Sequence, residues 1–240
     1  MIKKVCLFAS VLTLIPLVYA EGSGKATVHA AVTSDYAGRG ISQTFNEPAV
    51  QASADIAVSG IYAGAWASTI DDRTYEGGSV ELDLYFGYSQ AINRFRYNIG
   101  AIQYLYPGAR NVATGNDYDF LEVYFAVGFS PVSIKYSEAV NDMNGLDGSK
   151  GFSYTELWLE QPFRHFDLAA RIARKSFDRY DFLSHNDYLI SVSRQILGAT
   201  VALSYRDSDA KEEYFSVQGN YLGGPIIALT LSKNIEVSSY

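Results

Sequence analysis

Cysteine is nearly absent from this 240-residue chain, and the single one, Cys6, lies in an apolar leader. A disulfide framework is therefore excluded, and an exported protein without one must draw its stability from burial, a closed sheet or a lipid surround. Basic charge is also scarce. Without Lys3 and Lys4 of the leader, 17 basic residues face 26 acidic ones, a net charge of −9. That balance argues against nucleic acid and against anionic headgroups as partners. The three histidines, His29, His165 and His185, are scattered and share no metal-ligand spacing. His165 and His185 are expected in solvated connections, and His29 on the polar face of a strand. There is no phosphate-binding glycine loop, no Gly-x-Ser-x-Gly elbow and no His-x-Ser motif. An enzyme would have to be assembled from distant residues, and the pattern implies no catalytic residue, no metal and no cofactor. The Asn141–Gly148 segment has calcium-friendly oxygens but lacks the Glu that closes an EF-hand loop, so a solvated loop is expected. Downstream of the leader no apolar run is long enough for a spanning helix, so a membrane location would require a barrel.

The leader has its own anatomy. Lys3 and Lys4 precede an apolar run from Val5 to Val18, and Val18-Tyr19-Ala20 is a small-residue cleavage pattern. It reads as a secretory signal peptide over residues 1–20, cut before Glu21, leaving one domain over 21–240. Pro16 and the shortness of the run make an anchor helix the weaker reading.

What is abundant is alternation. Ser34 to Thr69 reads as a strand end, a polar loop, a strand, a Ser59-Gly60 turn and a further strand. Between Ala49 and Ser59, Val50, Ala52, Ala54, Ile56 and Val58 face one side, and Gln51, Ser53, Asp55 and Ser59 the other. Similar segments are expected at 25–38, 49–59, 61–70, 79–91, 95–106, 118–129, 132–139, 152–161, 166–177, 187–196, 199–206 and 226–235. That makes twelve strands, with 213–221 treated as an irregular extension because an odd count would strand the C-terminus on the wrong side. Tight turns (Ser59-Gly60, Asn93-Arg94, Ser130-Pro131, Arg164-His165, Leu197-Gly198) alternate with long polar connections. One rim of short turns and one of long loops is expected of an up-and-down outer-membrane barrel, and a β-sandwich has no need of it.

The two faces leave the solvent of each undecided, because a sandwich and a membrane barrel share the same alternation. The leader, the missing cysteines, the loop asymmetry and the 19 tyrosines favour the barrel, with tyrosine expected in its aromatic girdles. On the polar face Glu81, Asp83, Glu122, Glu156, Glu160 and Asp167 then stand against Lys25, Arg96, Lys135, Arg171, Lys175 and Arg206. Such a lumen is either a narrow water-filled channel or a salt-bridged plug.

Specific residues carry a resemblance. Ser34-Asp35-Tyr36, Arg39-Gly40-Ile41-Ser42-Gln43, Pro48-Ala49-Val50-Gln51 and Gly60 to Ser68 are similar to the signature of the TorF-type porin family. The similarity continues in Glu81 to Tyr85, Tyr104 to Gly108, Asp117 to Asp119 and Glu122, and thins after about residue 130. The resemblance implies a twelve-stranded barrel in the outer membrane, with lipid around it and small hydrophilic solutes or ions passing through. It implies no particular solute. Asp35 and Arg39, with Gln51 and Asp55 on the neighbouring strand, are expected either to pin the first long loop to the wall or to form a constriction with the facing carboxylates. A barrel without a pore, with a binding or structural role, is the alternative.

Overall fold

The computed structural model describes residues 24–239, so the expected signal peptide and its cleavage point lie outside the described residues. In chain order the strands are β1 (Lys25–Thr33), β2 (Ala37–Gly38), β3 (Ile41–Ser42), β4 (Ala49–Val58), β5 (Ile61–Thr69), β6 (Val80–Ile92), β7 (Phe95–Leu105) and β8 (Phe120–Phe129). They continue as β9 (Val132–Ala139), β10 (Ser153–Phe163), β11 (Phe166–Ser176), β12 (His185–Ile196), β13 (Ala199–Ser208), β14 (Ser216–Val217), β15 (Asn220–Tyr221) and β16 (Ile226–Ser239). Twelve of these form one closed antiparallel barrel in which successive long strands are neighbours and β16 returns to β1. Closure pairs Lys25 with Ser239 and Thr33 with Thr230. It leaves no open sheet edge, the condition for a sheet to sit in hydrocarbon.

Local chemistry explains the meander. Two-residue hairpin turns need positive φ at their central residues to match the twist of the flanking strands. Ser59 (φ 50°) and Gly60 (88°) supply it, as do Leu197 (51°) and Gly198 (79°). The other rim carries the long connections. The expected count of twelve strands holds, and 132–139 is matched to the residue. The first strand is shorter than expected: it leaves the wall after Thr33, and residues 37–42 form the small β2–β3 hairpin inside. The last runs on to Ser239, and there Asn234 and Glu236 are paired with His29 and Thr27 of β1. The uncertain segment 213–221 forms the separate β14–β15 hairpin, outside the barrel order.

The faces sort by solvent. Val28, Val50, Ile56, Leu84, Phe86, Ile99, Phe125, Ile190, Leu203 and Leu229 are among a continuous outward belt of exposed apolar side chains. No aqueous protein exposes so much contiguous apolar surface, so the belt is the lipid-facing wall. Phe86, 65% exposed near the middle of β6, probes it. Phe86→Arg should cost about 2–4 kcal/mol if the belt meets the bilayer midplane. Urea unfolding of the barrel in lipid vesicles measures this, and a neutral result would remove the belt from the bilayer.

Inside, the tyrosines depart from expectation. Tyr136, Tyr188 and Tyr205 are outward and exposed, as girdle residues should be, but Tyr36, Tyr62, Tyr75, Tyr85, Tyr104, Tyr106, Tyr118, Tyr124 and Tyr154 are buried within the barrel and its loops. Their hydroxyls serve interior polar groups: Tyr85 donates to Asp55, and Tyr62 meets both Tyr124 and Asn98. A phenol fills volume and satisfies a carboxylate at the same time, which suits an interior lined with acids. The tilted, stacked and edge-on pairs Phe152–Phe177, Tyr75–Tyr106, Tyr104–Phe120 and Tyr36–Trp66 make an aromatic core towards the long-loop rim.

Candidate functional site

The loop after β1 turns into the barrel because of Asp35. Its carboxylate accepts from Ser42 Oγ at 2.5 Å, from Thr44 Oγ1 at 3.2 Å and from Arg206 Nη2 on β13 at 2.7 Å. Arg206 also donates to the Asp35 carbonyl at 3.0 Å, and the Tyr36 amide donates to Thr44 Oγ1 at 3.1 Å. This knot at the base aims the β2–β3 hairpin across the lumen.

At its tip, Arg39 (φ 52°) and Gly40 (φ 82°) turn the chain. Gly40 is required by contact as well as conformation: a Cβ there would lie 2.5 Å from Asp187 Cβ and 3.1 Å from Ser208 Cβ. The Arg39 carbonyl is held by His185 Nε2 at 2.9 Å, and His185 Nδ1 lies 3.0 Å from the Leu183 carbonyl. The Arg39 guanidinium has crossed to the opposite wall. Nη2 donates to Glu122 Oε1 on β8 at 2.6 Å and to the Tyr104 hydroxyl at 3.3 Å. The guanidinium carbon sits 5.7, 4.8 and 4.9 Å from the ring centroids of Tyr104, Phe152 and Tyr154.

The surrounding charges differ by wall. β6 and β8 carry Glu81, Asp83 and Glu122, whereas β9 to β13 carry Lys135, Arg171, Lys175 and Arg206 together with the buried acids Glu156 and Asp187. Glu81 accepts from Tyr36 at 2.9 Å and from Tyr106 at 3.0 Å. On the basic side Arg171 pairs with Asp187 and lies 3.6 Å from Glu156, which Lys135 approaches at 3.5 Å. Asp83 is fully buried, and neither of its carboxylate oxygens has a hydrogen-bond partner.

Two further loops lie over the hairpin. Ser42 N donates to the Leu222 carbonyl at 2.8 Å, and Ile41 packs with Ala210, Leu222, Phe45, Phe215 and Val217 around β14–β15. The Asp71 amide donates to the Gln43 carbonyl at 2.9 Å, Tyr75 donates to the Gln43 side chain, and Arg73 bridges Asp71 and Glu47. The adjacent Arg73 holds the Asp71 carboxyl below its ordinary value of 3.8. A depressed pKa means the tie is complete above that ordinary value and is lost as pH falls through the lower one. Exchange of the 71–75 amides, corrected for intrinsic rate, should accelerate on acidification below pH 3.8, and unchanged exchange would refuse the tie.

Several expectations are redistributed. The structure brings Tyr36, Arg39, Glu81, Asp83 and Glu122 near one another, with Gly40 beside Arg39 at the hairpin tip. Ser42 and Gln43 hold the hairpin rather than face a solute. Asp35 and Arg39 make no pair with each other: Asp35 binds Arg206 and Arg39 binds Glu122, because the hairpin reverses between them. Asp55 is bound by Ser53 at 2.8 Å and by Tyr85, away from Arg39, and Gln51 lies 3.4 Å from Ser68. Ser34 exchanges hydrogen bonds with the Leu229 backbone, and Pro48 is exposed. Asp167 is also exposed, beside a tight turn. His185 is fully buried rather than solvated, because β12 begins there and strand alternation from Asp187 turns it inward. The 141–148 segment is packed rather than simply solvated, with Met143 buried and its backbone held by Ser149. His185, Phe152 and Tyr154 carried no local signal of their roles.

A closed twelve-stranded barrel, apolar outside and charged inside, with a loop folded across its lumen, defines the class of outer-membrane β-barrels. The family model described as a bacterial protein of unknown function (Gcw_chp) matches residues 19–235, and the chain belongs to that family. The NanC porin structure aligns with a TM-score of 0.56 at 9% identity, covering 89% of this chain and all (100%) of that one. The Pseudomonas putida toluene transporter TodX aligns at 0.50 and 8%, covering 91% of this chain and 89% of that one. At such identities the likeness is one of fold. A comparison with curated protein sequences returns no match.

Proposed function

We propose that this protein is an outer-membrane porin of the TorF type, exported by its N-terminal leader, that admits small hydrophilic solutes or ions. The reading rests on one observation. A loop crosses the lumen, held through charge pairs and hydrogen bonds at its base and tip. A wall-built seal has no way to open, whereas a hairpin spanning the lumen on ion pairs can be displaced. Lipid surrounds the barrel, and the acidic excess favours cations. Single-channel conductance of the refolded protein in a planar bilayer, under a salt gradient, tests this. Wild type should show small discrete steps with cation-selective reversal, and Arg39→Ala should raise unit conductance several-fold.

The complete burial of Asp83, Asp187 and His185 favours a second reading, a barrel that never conducts and uses its loops as a binding or structural surface. Silence from Arg39→Ala in a demonstrably folded barrel would select it.

A further inference from the structure

The Arg39 guanidinium is bound as a ligand would be. One carboxylate, Glu122, takes its Nη2, three aromatic rings surround its carbon, and the Glu122 side chain is only 2% exposed. Carboxylate plus ring faces is the usual chemistry for recognising organic cations. The guanidinium comes from a loop tip and not from the wall, so the pocket it fills is an independent feature of β7, β8, β10 and Phe152 just before β10. The site is also over-supplied with acid. Asp83 is buried on the same wall with both oxygens unpartnered, and Arg39 Nη1 has no partner either. A spare guanidinium nitrogen is shared by the pairs of Arg96, Arg171 and Arg206, so the feature that sets this site apart is the unpartnered acid beside it.

We propose, resting on the porin reading above, that Arg39 is a tethered stand-in for the permeant solute. The cage of Glu122, Tyr104, Phe152 and Tyr154, backed by Asp83, is then a binding site for guanidinium-bearing organic cations. Among the described residues no three of His, Cys, Asp or Glu converge as metal ligands, so a bare metal ion is the poorer occupant. Two wall cations face the cage. Arg171 is committed to Asp187 and Glu156. Lys175 lies over Phe152 and Phe177 at 5.5 and 5.4 Å, and is placed to move in when Arg39 leaves. When the hairpin withdraws, the cage exposes an acidic wall to the lumen, and a solute guanidinium takes up the bonds that Arg39 made.

The test is chemical rescue. Arg39→Ala, shown folded by heat-modifiable gel migration, is recorded in a planar bilayer with methylguanidinium or sodium added at equal ionic strength, and titrated calorimetrically with methylguanidinium in detergent micelles. Methylguanidinium should roughly halve the raised current at about millimolar concentration, the affinity expected of one charge-assisted pair with ring contacts. Sodium should not, and adding Glu122→Gln should abolish both the block and the heat. Should Arg39→Ala misfold, Gly40→Val withdraws the same tip and takes the same measurements. Equal block by sodium, or block and heat indifferent to Glu122→Gln, would overturn the site, as would absence of both because Lys175 has filled it. Heat without any conductance would overturn the porin reading and leave the cage standing; conductance without heat or block would do the reverse.

Discussion

Gly40→Val should open the lumen without weakening the barrel. The backbone at Gly40 is left-handed, a conformation costing a β-branched residue about 1–2 kcal/mol. The new Cβ would lie 2.5 Å from Asp187 Cβ, a separation that neither side can relieve, since Asp187 is fully buried and bound by Arg171 and Tyr154. The strain falls on contacts of the tip alone: Arg39 with Glu122, and the Arg39 carbonyl with His185. None of the wall's hydrogen bonds is touched, from the β1–β16 closure round to β4. The cheaper response is for the tip, Arg39 and Gly40, to leave its seat while Asp35 and Ser42 still hold the base. Unit conductance should rise several-fold, while the unfolding free energy in vesicles stays within about 1 kcal/mol of the parent, as for a change outside the cooperative core. Parental conductance from a folded variant would show that the hairpin is not the barrier.

Arg206→Ala should have the opposite signature, a large loss of stability. Asp35, only 4% exposed, would keep the hydroxyls of Ser42 and Thr44 but lose its one cation, as well as the bond from Arg206 to its own carbonyl. Removing one member of a buried pair strands the other charge and costs about 3–5 kcal/mol. The position matters as well as the magnitude, because this knot joins the root of the first loop to β13. Urea unfolding in vesicles should show that loss, and Asp35→Asn combined with Arg206→Met should recover most of it, since no uncompensated charge then remains. A loss under about 1 kcal/mol for the single change would mean that water reaches Asp35, as for an exposed pair.

The wall of this protein was legible residue by residue. Alternation at i, i+2 and positive-φ turn residues at Ser59-Gly60 and Leu197-Gly198 are local properties, and they place Phe86 outward and Tyr85 inward before any contact is known. The stretch 34–51, which carries the family resemblance, is where the chain leaves the wall for the interior hairpin. What local pattern could not supply was partnership. Asp35 and Arg39, four residues apart, looked like a pair, yet each finds its counterion elsewhere: Glu122 lies 83 residues from Arg39, and Arg206 lies 171 from Asp35.

His185 shows the same limit. A two-residue shift in the start of one strand converts a solvated loop histidine into a fully buried clasp on the Arg39 carbonyl. Tyrosine content likewise foretold an aromatic-rich barrel but not that nine of those rings are buried within the barrel and its loops, where carboxylates need their hydroxyls.

The sequence by itself determined a disulfide-free, twelve-stranded meander with an apolar face and a charged face, because period-two patterning and turn chemistry act between near neighbours along the chain. The tertiary structure alone decided that the first long loop lies inside, that its arginine is caged on the far wall, and that Asp83 is left without a partner. Those outcomes depend on register around a closed ring, which brings together side chains that no local pattern relates.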